Sequence, residues 1–243
     1  MRVPSMRPRV CTQLDAMHVL LITHTADDVP DHNRWLTPWE LEFESTLRVP
    51  KRRADWRLGR WTAKRAVQQW LTTPDLTDVE IRARPDGSPE ALVAGTPAPC
   101  TISLSHSNAR AVCTVAAAGI AIGCDIELVE PRDPSFAADY FTPIEVAFLS
   151  ALPEELRALA TTLLWSARES ALKAIGEGLR LDTRDVAVVV DDLRLDVAAS
   201  GWQPITVTRR EPAASYGGWW RVDGAFVFTV VGCPRLHAAP REA

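Results

Sequence analysis

Trp165-Ser166-Ala167-Arg168-Glu169-Ser170-Ala171 is echoed in the first half of the chain by Trp61-Thr62-Ala63-Lys64-Arg65-Ala66-Val67. Both segments lie in windows of helical apolar spacing. Leu156, Leu159, Leu163, Leu164, Ala167, Ala171 and Ile175 predict a helix from Pro153 to Ile175, begun near Ser150 and Pro153 and ended by Gly176 and Gly178. The earlier helix is expected from about Arg52 to Leu71, stopped by Thr72-Thr73-Pro74. The surroundings repeat as well. Apolar runs at His18–Ile22 and Gly119–Ile126 open the two halves, short strands at Leu76–Ile81 and Asp185–Val190 follow the helices, and Ala111–Val115 and Ala225–Val231 close them. Each half therefore reads strand, connection, long helix, strand, strand. A plainer reading stays open, in which two amphipathic helices merely share a taste for Trp in their packing. The expected fold is α+β: two similar halves related by a pseudo-twofold axis, each an antiparallel-leaning sheet with one long helix, and a site in the cleft between them. The halves are placed at 17–117 and 118–243. Residues 1–16, rich in Pro and Arg, read as a candidate disordered leader, with Met17 an alternative start. Segments 84–100, with a turn at Pro85-Asp86-Gly87, and 131–143 are expected to be loops, and 209–218 a hairpin-like connection.

Composition narrows the class. A chain of 243 residues, 47% apolar, can bury a core as one domain or two small ones. The net charge of −4 argues against a general nucleic-acid or membrane binder. The five cysteines are scattered and odd in number, with no ligand spacing, which argues against zinc and for a reducing, cytoplasmic setting. The apolar run Met17–Ile22 is interrupted by His18 and lacks a small-residue cleavage site, so neither a signal peptide nor a membrane span is expected.

The chemistry-bearing residues fall into three groups. In Gly123-Cys124-Asp125-Ile126-Glu127, read as a strand, Asp125 and Glu127 share a face. In the second long helix Glu169 and Lys173 are one turn apart. Three converging carboxylates make a hard-oxygen site suited to Mg²⁺, with Mn²⁺ a substitute, and a nearby lysine equips it for a pyrophosphate. Taken alone, Lys173 would be a surface partner of Glu169, worth about 0.3–0.5 kcal/mol. His106, in Ser103-Leu104-Ser105-His106-Ser107, can offer a ring N–H to a phosphate with the Ser105 hydroxyl beside it, or serve simply as a turn residue. The stretch Lys51–Arg65 is densely basic, and Arg60 and Lys64 share a helix face there. A solvated charged face accounts for some of Lys51, Arg52, Arg53, Arg57 and Arg65. Many of the nine tryptophans, Trp35, Trp39, Trp56, Trp61, Trp70 and Trp165 among them, are expected to knit helices to sheets.

Taken together, Gly123-x-Asp125-x-Glu127, Trp165-x-x-x-Glu169-Ser-x-x-Lys173, the Ser105-His106-Ser107 segment, Gly59-Arg60 with Lys64, and Gly87-Ser88-Pro89 resemble the 4′-phosphopantetheinyl transferase superfamily. Length and the repeated halves resemble its larger, pseudo-dimeric, surfactin-type class. Three positions depart from the pattern. Cys124 stands where an aliphatic residue is usual, Arg168 replaces a lysine, and Ser88 stands where a basic residue is common.

The resemblance implies an enzyme that moves the phosphopantetheine arm of coenzyme A to a serine of an acyl, peptidyl or aryl carrier protein, releasing adenosine 3′,5′-bisphosphate. It implies Mg²⁺ on Asp125, Glu127 and Glu169. Catalytic work would fall to Glu169, Lys173 and Asp125, and coenzyme A contacts to Arg52, Arg60, Lys64, Ser105, His106 and Lys173. A monomer is expected, with the carrier protein as partner and polyketide or nonribosomal-peptide synthesis as setting. Phe136, Tyr140 and Phe141 are candidates for an apolar carrier-docking rim. The rivals are a Mg²⁺-dependent pyrophosphohydrolase that needs no carrier and a catalytically silent binding paralogue.

Overall fold

The computed structural model describes residues 18–72, 75–176, 181–191, 193–195 and 201–242. The leader at 1–16, Met17, Thr73-Pro74 and Gly178 lie outside the described residues.

The first half contains β1 (Leu20–Thr25), α1 (Pro38–Thr46), α2 (Pro50–Leu71), β2 (Val79–Ala83), β3 (Pro89–Val93), β4 (Thr96–Pro97), β5 (Cys100–Ser107) and β6 (Arg110–Ala117). The second contains β7 (Ala121–Leu128), α3 (Pro134–Tyr140), α4 (Pro143–Ala151), α5 (Glu154–Ile175), β8 (Val186–Val188), β9 (Gln203–Arg209), β10 (Ala214–Asp223) and β11 (Phe226–Cys233), and the short β12 (Arg241–Glu242) follows. The fold is α+β. In each half the opening strand lies antiparallel to the closing one, β1 on β6 and β7 on β11, and the penultimate strand flanks it, β5 on β6 and β10 on β11. The halves then diverge. The second sheet runs on as β7-β11-β10-β9-β8, whereas β2-β3-β4 form a separate sheet. β12 crosses back to pair in parallel with β1.

Strand alternation builds four layers. On β6, Cys113 and Val115 pack in the core under α2, while Val112 and Ala116 join the core that also holds Ile122, Cys124 and Ile126 of β7. The opposite side of the second sheet packs on α5 through Leu163, Leu164, Ala167, Val207 and Trp220. Helices therefore lie outside and the two sheets face each other.

The repeat extends to buried polar contacts. Thr37-Pro38-x-Glu40 starts α1 and Thr142-Pro143-x-Glu145 starts α4, each with a reciprocal capping box. Glu40 also accepts the backbone N–H of Ile81 at 3.0 Å and the Lys64 ammonium from α2. Glu145 accepts the N–H of Val188 at 2.9 Å and the Arg168 guanidinium from α5 at 2.7 and 2.9 Å. In both halves one carboxylate caps a short helix, holds the strand after the long helix, and neutralises a cation from that helix.

Several sequence expectations change. The expected loop at 84–100 carries β3 and β4, and that at 131–143 carries α3 and the start of α4. Ser150 lies within α4, and α5 begins after Pro153. Segment 209–218 is a hairpin connection as expected, joining antiparallel β9 and β10, with the turn itself confined to 210–213. The unexpected elements within 84–100 and 131–143 are short and begin with proline or lie beside glycine, so apolar period alone does not expose them.

Candidate functional site

The site forms where β7 passes the last two turns of α5. The close approach requires Gly123: a Cβ there would stand 1.8 Å from the Ser170 carbonyl oxygen. On the inner face of α5, Ser166 and Ser170 hydrogen-bond the Thr229 hydroxyl of β11 at 2.9 and 2.7 Å, pinning the helix to the sheet. α5 ends at Gly176, which adopts a φ of 79°. Glu169 and Lys173 thereby flank β7.

Asp125 is buried, and its Oδ1 accepts from Lys173 Nζ at 2.8 Å and from Ser105 Oγ at 2.7 Å. Lys173 Nζ also donates to the Cys124 carbonyl at 3.0 Å. Lys173 therefore pairs across to the strand and not along its own helix to Glu169. Burial alone would lower the Lys173 pKa, but the Asp125 carboxylate, with Cys124 and Glu169, outweighs it and holds the ammonium above its ordinary value. Glu127 is partly exposed, 3.5 Å from both Ser107 Oγ and an Arg132 nitrogen. Ser103, Ser105 and Ser107, alternate residues of β5, thus line β7, since Ser103 Oγ accepts the Cys124 N–H at 3.0 Å. Ser105 Oγ is thus engaged by Asp125, and Arg132 joins the residues expected at the site from the sequence.

Asp125 Oδ2 and Glu169 Oε1 are buried and have no hydrogen-bond partner. Burial, then repulsion from Asp125, raises the Glu169 pKa against the pull of Lys173 and Arg168. Burial, then Asp125 and Glu169, raises that of Glu127 against Arg132 and Lys173. The three carboxylates therefore feel one another. Buried anionic oxygens without donors are costly, and a hard cation relieves that cost. The donor chemistry fits Mg²⁺. Among the described residues, no three His, Cys, Asp or Glu side chains are gathered as a ready ligand set.

Two cavities flank this point and share Leu104. One, of about 420 Å³, runs from Lys173 and Ile122 past Ser103 to Arg84, Ser88 and Pro89. The turn at Gly87, with φ 89°, lies on its wall, and Asp86 Oδ1 accepts both Ser88 N–H and Oγ. The other, of about 480 Å³, is lined by Lys51, Arg52, Trp56, Arg60 and His106. Gly59 lets α2 press onto β5, since a Cβ would lie 3.2 Å from Leu104, and this brings Arg60 beside His106. Arg60 lies over the Trp56 ring at 5.0 Å, and its buried Nε has no partner.

Of the expected basic set, Arg52, Arg60 and His106 line this second cavity and Lys64 does not. The Lys64 side chain is 0% exposed, paired with Glu40 inside the fold. Its assignment to a phosphate is corrected: the helix face it shares with Arg60 turns inward one turn later. Arg168, also 0% exposed, pairs with Glu145 in the same way. Cys124 is buried, as a small apolar residue would be, and burial raises its pKa. Phe141 is only 2% exposed and belongs to the core, while Tyr140 reaches the surface.

The segment that holds the three carboxylates and α5 can be compared with known proteins. Residues 121–213 match the 4′-phosphopantetheinyl transferase superfamily. The chain is 31% identical over 127 residues to the 4′-phosphopantetheinyl transferase HetI of Nostoc sp., covering 42% of this chain and 53% of that protein. It is 33% identical over 90 residues to a Bacillus subtilis 4′-phosphopantetheinyl transferase, covering 37% and 39% respectively. The chain thus spans about half the length of the first of these curated relatives, and less of the second. Among solved structures, the Thermotoga maritima holo-[acyl-carrier-protein] synthase aligns at TM-score 0.33 and 24% identity, covering 52% of this chain and 75% of that one. The Helicobacter pylori holo-[acyl-carrier-protein] synthase, solved in complex with coenzyme A, aligns at TM-score 0.30 and 13% identity, covering 41% and 99%. Among the described residues no helix is long and apolar enough to cross a membrane.

Proposed function

We propose that this chain is a phosphopantetheinyl transferase of the larger, two-half class, acting as a cytoplasmic monomer on carrier domains of polyketide or nonribosomal-peptide synthesis. The observation that carries the reading is the junction of Asp125, Glu169 and Lys173 beside a cavity, with two donorless carboxylate oxygens, inside the segment that matches the superfamily.

Asp125, Glu127 and Glu169 are the residues that would hold Mg²⁺, which supplies charge neutralisation to a diphosphate when bound. Arg60, Arg52 and His106 are suited to the phosphates of coenzyme A, since planar guanidinium groups and a ring N–H are strong phosphate donors. The carrier serine Oγ forms a bond to the phosphorus of the pantetheine phosphate as the P–O bond to adenosine 3′,5′-bisphosphate breaks. The serine proton passes to Glu169, directly or through a water. Lys173, held charged by Asp125, is placed to steady charge on the departing phosphate.

Release of adenosine 3′,5′-bisphosphate, followed with and without an apo carrier domain, tests the reading against the hydrolase. Release that depends on the carrier is expected. Equal release without it would assign the site to a pyrophosphohydrolase.

A further inference from the structure

We propose that Glu145 and Arg168 form a positioning strut that sets the rotation of α5 and so aims Glu169 into the site; the role rests on the transferase reading above. Arg168 immediately precedes Glu169, and successive helix residues point about 100° apart. Fixing one therefore fixes the other. Arg168 is held at both ends of its guanidinium. One terminal nitrogen meets both oxygens of Glu145, at 2.7 and 2.9 Å, and Nε donates to the carbonyls of Thr183 and Val186 at 2.8 and 2.7 Å. Glu145 is itself immobilised by the Thr142 N–H at 2.9 Å and the Val188 N–H at 2.9 Å. A second face of α5 is fastened to Thr229 through Ser166 and Ser170. Two buried attachments on different faces leave the helix no freedom to roll.

The first half supplies a control built into the same molecule. Glu40 and Lys64 make the equivalent buried pair, with the equivalent capping and strand contacts. There the next residue is Arg65, which is exposed and hydrogen-bonds Gln68. One strut therefore precedes a site carboxylate and the other does not. If the pairs only stabilise the fold, disrupting either should have the same consequences.

The experiment compares Glu145→Gln with Glu40→Gln in the full chain by thermal midpoint, kcat and KM for coenzyme A, and Mn²⁺ affinity. Both variants are expected to lower the midpoint similarly. Glu145→Gln is expected to lower kcat and Mn²⁺ affinity at least about tenfold, as loss of a residue that orients a ligand does, with KM within about twofold. Glu40→Gln is expected to keep kcat, KM and Mn²⁺ affinity within about twofold. Equal effects of the two variants on kcat and Mn²⁺, or no effect of Glu145→Gln, overturn the proposal. If Glu145→Gln does not fold, Arg168→Lys replaces it, because Lys64 shows that lysine fits this seat. Lacking the Nε bonds, it is expected to lose about threefold or more in kcat at unchanged KM. Unchanged kcat and Mn²⁺ affinity in Arg168→Lys overturn the proposal. If the wild-type chain makes no holo-carrier, the transferase reading fails, and the strut stands or falls on the Mn²⁺ comparison alone.

Discussion

Lys173 Nζ donates to Asp125 Oδ1 at 2.8 Å, and the other oxygen of that carboxylate, Oδ2, is buried without a donor. One half of the carboxylate is thus committed to an ammonium and the other is left for a cation. Glu169, one turn before Lys173 on the same helix, has a donorless buried oxygen of its own. In the proposed transferase, one strand and one helix of the same half would therefore supply the metal-holding acids, the general base and the cation.

Asp125→Ala and Glu127→Ala should each abolish transfer, by at least about 100-fold, since even residues that only orient a metal ligand are worth 10- to 100-fold. Circular dichroism should remain that of the folded wild type, because both residues lie on the site face of β7. Full activity in both variants would remove the carboxylates from the metal role.

Lys64 and Arg60 separate burial from binding, although they share a helix. Lys64→Ala should cost about 3–5 kcal/mol of stability, the usual result of stranding the partner of a buried ion pair, here Glu40. Coenzyme A affinity of the folded fraction should not change. Arg60→Ala should instead raise KM for coenzyme A about tenfold or more, as loss of a hydrogen bond to a charged group does. Titration calorimetry with coenzyme A checks both, and the opposite pattern would restore Lys64 to the phosphate site.

The raised pKa values of Glu169 and Glu127 carry a stability signature. A carboxylate whose folded pKa lies above its unfolded value leaves the folded state holding more protons between the two. Stability is then greatest below the unfolded pKa and falls as pH rises through the folded one. The metal-free protein should therefore lose thermal stability from the ordinary carboxylate range upward toward neutrality. Glu169→Gln should flatten that slope and raise the midpoint at pH 7 by about 2–4 °C for each kcal/mol recovered, while abolishing transfer. Mg²⁺ should raise the wild-type midpoint and affect that of the variant less. A lower midpoint for Glu169→Gln across the whole pH range would contradict the electrostatic reading.

The parts of this molecule legible in its sequence are those where local pattern and tertiary role agree. α2 and α5 are long, amphipathic and punctuated, so their spans emerge within a few residues. Gly123, Asp125 and Glu127 alternate on a strand, and their common face follows from period two. Lys64 was misplaced because its partner, Glu40, lies on another helix, and helical spacing does not distinguish the solvent side from the side covered by α1. The same blind spot hid the Glu145–Arg168 pair. A local signal did exist: Thr-Pro-x-Glu before each long helix is a capping-box pattern, and its recurrence at Thr37 and Thr142 marks the repeat. β3 and β4 escaped because a few residues bounded by proline and glycine carry too little period.

Intact-mass measurement of several apo carrier domains, incubated with this protein, coenzyme A and Mg²⁺, is the most direct test of phosphopantetheine transfer. A gain of one phosphopantetheine on at least one carrier, lost when its acceptor serine is replaced by alanine, is the expected result. No gain on any carrier in the panel, with coenzyme A binding demonstrated on the same sample, would contradict it.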